Sequence, residues 1–303
     1  MSHEQKTNNT GALLVLAAAM LWGTTGTSQA LAPAGFDSAV IGLLRLGIGG
    51  VALLILLGFQ GELRDLLKLP LKATLAAAAC TAIYQLCFFA GVARTGVAVG
   101  TIVGIGSAPV FGGLLGYLFR GEHLSRRWFM ATGLAILGCL LLTLSSDAEV
   151  QIDLLGIALA IAAGAAYAAY TLAIKGLLEN FSPNTIMTAV VCIGALLLAP
   201  TIYGKDLSWV AQPRAILVAL HLGILTMALS YFLFARGLKR VDVSAAVTLS
   251  LAEPFTAGTL GLLLLGEAVN LLSLSGIVLI FSGLAFLAMP ARRISSQMTP
   301  TGT

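Results

Sequence analysis

Ten apolar stretches of about twenty residues alternate with short polar connections along the chain. They fall at 11–31, 38–58, 71–93, 97–119 and 126–145, then at 154–174, 182–203, 213–235, 243–265 and 271–290. A hydrocarbon core about 30 Å thick takes about 20 apolar residues of helix to cross. The pattern therefore predicts an all-α membrane protein of ten transmembrane helices. The first stretch is too long for the h-region of a cleaved signal and nine more follow, so it reads as a span.

Composition strengthens this reading. Hydrophobic residues make up 58% of the 303 positions and charged residues only 10%, against roughly 25% charged in soluble domains. Lipid must replace water over much of such an exterior. The 34 glycines fit as well, because small residues let membrane helices approach closely. The net charge of +4 comes from basic residues spread through short connections, not from the clustered patch that nucleic acid requires. The four cysteines, Cys80, Cys87, Cys139 and Cys192, lie inside apolar stretches without CxxC spacing and read as packing residues.

Orientation follows from Lys and Arg. One side of the ten-span scheme holds thirteen of the 17 basic residues: Lys6, Arg64, Lys68, Lys72, Arg120, Arg126, Arg127, Lys175, Arg236, Lys239, Arg240, Arg292 and Arg293. The other side holds Arg94, Lys205 and Arg214, and Arg45 lies within a span. The positive-inside rule then predicts that both termini are cytoplasmic, and termini on one side agree with an even number of spans.

The two halves match at a constant offset of 145. Gly11 pairs with Gly156, Trp22 with Tyr167, Phe36 with Phe181, Ala90 with Ala235, Pro109 with Pro254, and Gly121-Glu122 with Gly266-Glu267. Five spans per repeat is an odd number, so the second repeat enters the membrane upside down. The expected organisation is a cytoplasmic tail at 1–10, a five-helix repeat at 11–145, an inverted five-helix repeat at 154–290 and a cytoplasmic tail at 291–303. Inverted repeats are a hallmark of secondary transporters.

These residues carry a resemblance over nearly the whole chain. Gly11 through Trp22-Gly23, Arg45, Ser107-Ala108-Pro109, Ala252-Glu253-Pro254 and the twin Gly-Glu pairs resemble the EamA-type members of the drug/metabolite transporter superfamily. Within it the chain is most similar to bacterial amino-acid exporters, including the YddG type. The resemblance implies ten helices in two inverted halves and export of small solutes, with amino acids as substrate, across a bacterial inner membrane. The first repeat has Ala108 where the second has Glu253, so an acidic residue is present in one repeat only.

The candidate chemistry sits in the fourth and ninth spans. Pro109 and Pro254 fall near their midpoints, where proline removes a backbone bond and crowds the carbonyl four residues back. The expectation is that the carbonyls of Ile105 and Ser250 are freed at mid-membrane, a depth that tolerates such groups only against protein or a wet cavity. Matching interruptions in two halves point to a transport site, with both prolines as candidate hinges; a simple packing kink is the alternative. A row of small residues at spacing four, Gly96, Gly100, Gly104, Ala108, Gly112 and Gly116, gives the fourth span a close-packing face.

Arg45 and Glu253 are the intramembrane ions, and such residues face the interior and find partners. Glu253 reads either as a site for a substrate amino group or a proton, or as a structural acid paired with Arg45. Arg45 itself reads as a structural charge. His221 reads as a site residue or a hydrogen-bonded packing residue. Trp22, Tyr84, Tyr167 and Tyr170 lie at middle depths, away from the interfacial belts where aromatics belong. With Glu253 and His221 they make the candidate substrate-binding set, suited to an amphipathic solute such as an amino acid.

No metal or cofactor motif is present in the sequence, and no GxxxxGK[ST] loop supports a pump. A membrane protease would need Ser107 or Ser28 activated by His221, without any GxSxG or HExxH motif. A phosphorylated substrate would call for several basic residues in the cavity, and only Arg45 is available. A small cationic drug remains an alternative substrate, because Glu253 and aromatic rings bind cations.

Overall fold

The computed structural model describes residues 9–33, 35, 37–145, 153–264 and 270–289. Most of the two expected tails lies outside these residues, as do Phe36, Gly266-Glu267, Arg292 and Arg293. The described residues are mostly helical and include no strand, with ten helices long and apolar enough to cross a membrane.

In chain order the elements are α1 (Asn9–Ala30), α2 (Ser38–Gln60), α3 (Leu71–Arg120), α4 (Arg126–Leu144), α5 (Leu154–Leu177) and α6 (Pro183–Leu198). The second half continues with α7 (Pro213–Leu220), α8 (Ser230–Leu238), α9 (Val243–Leu249), α10 (Ala252–Leu264) and α11 (Leu271–Ala288). A π-helical stretch, His221–Leu229, joins α7 to α8, so the eighth span runs from Pro213 to Leu238.

The 50 residues of α3 would reach about 75 Å if straight, over twice the hydrocarbon thickness. They double back instead. A Cβ on Gly100 would meet the Cα of Val92 at 2.8 Å, and one on Gly104 would meet the Phe88 ring at 3.3 Å. The element is thus two antiparallel spans, Leu71–Val92 and Val99–Arg120, and glycine is what lets them press together.

The inverted repeat is visible in paired contacts. A Cβ on Gly11 would lie 2.7 Å from Arg240 Cβ; at the equivalent positions, one on Gly156 would lie 2.6 Å from Thr95 Cγ2. The fifth and tenth spans behave the same way. A Cβ on Gly138 would meet the Gly276 carbonyl at 2.6 Å, and one on Gly283 the Ala131 carbonyl at 2.6 Å. Each pair of contacts maps onto the other by the offset of 145. Close approach at small residues stands in for the hydrophobic drive that lipid cannot supply between helices.

The fourth and ninth spans meet across the boundary between the repeats. On the face where α1 begins, they are locked together. A Cβ on Gly112 would fall 2.9 Å from Val247 Cβ, and Ala108, Val243 and Val247 form a buried cluster. The Glu122 carboxylate accepts the backbone N–H of Val243 (2.6 Å) and of Ser244 (2.9 Å), capping α9 from the other repeat. Trp128 Nε1 donates to the Ser244 carbonyl (3.2 Å), and the Thr132 and Thr248 hydroxyls bond at 3.0 Å. Lys175 Nζ donates to the carbonyls of Leu238 (2.6 Å) and Val241 (2.7 Å). The turn between α8 and α9 is thereby held by an anion on its N–H groups and a cation on its carbonyls, the arrangement helix termini favour. By the offset of 145 the mate of Glu122 is Glu267, which lies outside the described residues.

Candidate functional site

Trp22 and Tyr167 occupy equivalent positions in the two repeats, and their rings meet edge-on at 6.3 Å. Equivalent residues can touch only near the axis that relates the repeats, so this contact marks the centre of the molecule. The sequence places an aromatic at each position, and the inverted fold brings the two into edge-on contact.

Other rings gather around that contact. Tyr84 of α3 lies 5.6 Å from Tyr167, and Tyr170 lies 5.5 Å from Tyr167 one turn along α5. Tyr231 and Phe234 of α8 lie 5.4 and 5.2 Å from Trp22. These two were not singled out from the sequence. Their span carries the π stretch, whose wider turn shifts which side chains share a face, so a 3.6-residue period misplaces them. Tyr170 and Phe234 are fully buried, whereas Tyr84 and Tyr167 are partly exposed. The Tyr167 hydroxyl and Ser250 Oγ are hydrogen bonded at 2.7 Å, so the ring cluster is tied to the ninth span.

The two prolines stand in different settings. The fourth span is helical straight through Pro109. The ninth breaks at Ser250-Leu251, and Pro254 sits in the first turn of α10, where its missing N–H costs little. The Ser250 carbonyl is not free, contrary to the expectation from sequence. The break lets it accept the Glu253 N–H at 2.9 Å.

Glu253 is held beside the rings by a tight backbone contact. A Cβ on Gly23 would lie 2.5 Å from the Glu253 carbonyl and 2.5 Å from Thr256 Cβ. Glycine next to Trp22 is therefore what lets α1 lie against α10. The Glu253 side chain is half-buried and within electrostatic reach of Tyr84, Tyr167, Tyr231 and Arg45. It forms no ion pair with Arg45; the four ion pairs among the described residues all involve other groups.

Arg45 projects from α2 and donates from Nη2 to the Thr226 carbonyl in the π stretch at 3.3 Å. His221, at the start of that stretch, bonds Thr24 Oγ1 at 2.9 Å. It lies on the flank of α1 and shows no ring contact with the aromatic cluster. Four buried polar atoms on these elements have no hydrogen-bond partner: Trp22 Nε1, Thr25 Oγ1, Arg45 Nε and the Tyr170 hydroxyl. A buried group left unpaired costs about 1–3 kcal/mol, so a polar ligand that engaged them would be favoured. A separate apolar crevice of about 340 Å³ lies between α2 and residues 202–211, lined by Val40, Leu43, Leu44, Ile202, Leu207, Val210 and Ala211. It carries no polar side chain, and the chemistry lies elsewhere.

An EamA-like transporter family model matches the chain twice, at residues 9–144 and 154–289. The chain belongs to that family. The two matches coincide with the two halves defined by the contacts above. An uncharacterized transporter, YwfM of Bacillus subtilis, is 41% identical over 285 residues, covering 94% of this chain and 96% of that one. An uncharacterized transporter of Archaeoglobus fulgidus is 30% identical over 275 residues, covering 90% and 94%. A crystal structure at 19% identity superposes with a TM-score of 0.83 over 94% of this chain and 99% of the other, which shows the shared fold. The protein is therefore a multi-pass membrane transporter of ten helices in two inverted repeats.

Proposed function

We propose that this transporter moves amino acids or similar small amphipathic metabolites by alternating access. In this reading it is a secondary carrier or facilitator, working outward across a bacterial inner membrane with both termini in the cytoplasm. One observation carries the reading. At the break of the ninth span, a half-buried carboxylate without an ion-pair partner among the described residues lies within electrostatic reach of Tyr84, Tyr167 and Tyr231. An intramembrane acid without a structural partner marks a ligand or ion site. The rings supply apolar area for a side chain, and the hydroxyls and carboxylate supply orientation.

The packing of the fourth and ninth spans supplies one closed face, held by the bonds of Glu122 to Val243 and Ser244. Opening that face while the opposite one closes about Glu253 would expose the site to each side in turn, with Pro109 and Pro254 as hinges. The aromatic set of Trp22, Tyr84, Tyr167 and Tyr170 would hold the side chain of the solute, and His221 would orient α1 through Thr24.

The protease alternative loses support from the hydrogen bonds. Ser28 and Ser107 donate to the carbonyls of Thr24 (2.9 Å) and Gly104 (3.2 Å) in their own helices, and His221 engages Thr24 rather than either serine. Export of small cationic drugs is the second reading, favoured by the carboxylate beside the aromatic rings. Purified protein in liposomes separates the two. Labelled amino acids should be taken up and competed by unlabelled ones. Uptake of labelled drug cations with none of amino acids would overturn the amino-acid reading.

A further inference from the structure

Arg45 and Glu253 come from opposite repeats and carry opposite charge, yet they do not pair. Their positions are linked by contact. Arg45 reaches Thr226 in the π stretch, Tyr231 beyond that stretch touches Trp22, and Gly23 beside Trp22 abuts the backbone of Glu253. The two charges are thus linked through the elements that carry Trp22 and Tyr231, and lie within electrostatic reach of each other and of Tyr84 and Tyr231. Arg45 spends one donor on a carbonyl and keeps a buried Nε–H without a partner. Two opposite charges inside a membrane protein, both short of partners, leave a need that direct pairing would have met.

We infer that Arg45 and Glu253 are the two ends of a clamp for a zwitterion, Arg45 taking a carboxylate and Glu253 an ammonium group. This rests on the amino-acid reading above and deepens it. The guanidinium fork suits a carboxylate because its donors lie in one plane and stay charged. Trp22 Nε1–H, also buried without a partner, supplies a further donor to the same oxygens. The ammonium group meets the carboxylate of Glu253, and the ring faces of Tyr84 and Tyr231 add attraction for a cation. A solute with only one charge satisfies one end and leaves the other uncompensated. Arg45 is then a substrate-binding residue rather than a structural charge.

Binding of matched ligand trios to purified protein tests this. The trios are phenylalanine, phenethylamine and 3-phenylpropanoate, with leucine, 3-methylbutylamine and 4-methylpentanoate as a second set. Wild-type protein should bind the zwitterion about tenfold to a hundredfold more tightly than either half, the ratio expected for one charge-assisted hydrogen bond. Arg45→Gln should abolish the advantage over the amine and keep the advantage over the acid; Glu253→Gln should do the reverse. If Arg45→Gln does not fold, Arg45→Lys keeps the charge and should reduce the advantage over the amine without removing it. An unchanged zwitterion-to-amine ratio in a folded Arg45 variant overturns the clamp while leaving amino-acid transport intact. Binding of amines alone by wild-type protein overturns the amino-acid reading and the clamp with it.

Discussion

Gly23→Ala adds one methyl group where α1 meets α10. That methyl would sit 2.5 Å from the Glu253 carbonyl oxygen and 2.5 Å from Thr256 Cβ. Ordinary carbon contacts need about 3.5 Å, so the helices must part by about 1 Å. Both opposing atoms belong to the helix itself rather than to the end of a flexible side chain, so neither can swing away. Overpacking of this kind costs about 1–3 kcal/mol, and here it also moves Glu253 away from the rings of Trp22 and Tyr167. Transport in liposomes should fall at least tenfold, and the melting temperature of the purified protein should drop by a few degrees. Gly26→Ala is the control. Nothing lies within 4 Å of its added methyl, and alanine gains up to about 1 kcal/mol over glycine in a helix. That variant should melt no lower than wild type and transport normally. Wild-type transport by Gly23→Ala, or equal losses in both variants, would refute the claim that this close approach positions the site.

Glu122→Gln should lower stability by about 1.5–3 kcal/mol, because a neutral amide cannot accept both the Val243 and Ser244 N–H groups as the carboxylate does; thermal melting of the purified variant checks this, and no change would mean the cap contributes nothing. Pro254→Ala restores an N–H within reach of the Ser250 carbonyl and should straighten the ninth span, cutting transport more than expression, whereas Pro109→Ala, in a span that is already helical, should cut it less. Equal effects of the two proline variants would show that the break at Ser250-Leu251 has no special role. Reporter fusions after Arg293 should behave as cytoplasmic, and periplasmic behaviour would reverse the proposed orientation.

The spans and the repeat were legible because both depend on features that sequence states directly. Apolar length sets the number of crossings, and Trp22, Tyr167, Pro109 and Pro254 carry the offset of 145. The close pairing of Trp22 with Tyr167 follows once inversion is granted. The rest was harder to read for physical reasons. Tyr231 and Phe234 join the cluster because the eighth span changes its turn at His221–Leu229, and a fixed helical period cannot foresee that. Pro109 and Pro254 look alike in sequence but differ in structure, the first inside a continuous helix and the second in the first turn after a break. Glu122 stood out only as half of a repeated pair, and its role as a cap depends on a partner 121 residues away. Arg45 and Glu253 were natural partners on charge alone, and only their placement keeps them apart.

The most direct measurement is counterflow. Liposomes holding purified protein are loaded with an unlabelled amino acid and diluted into a trace of the same compound, labelled. A carrier whose central site opens to each side in turn should concentrate label inside transiently, and Glu253→Gln should reduce that overshoot in protein that remains folded. Label that only equilibrates with the outside, or an overshoot untouched by Glu253→Gln, would contradict an alternating-access site at Glu253.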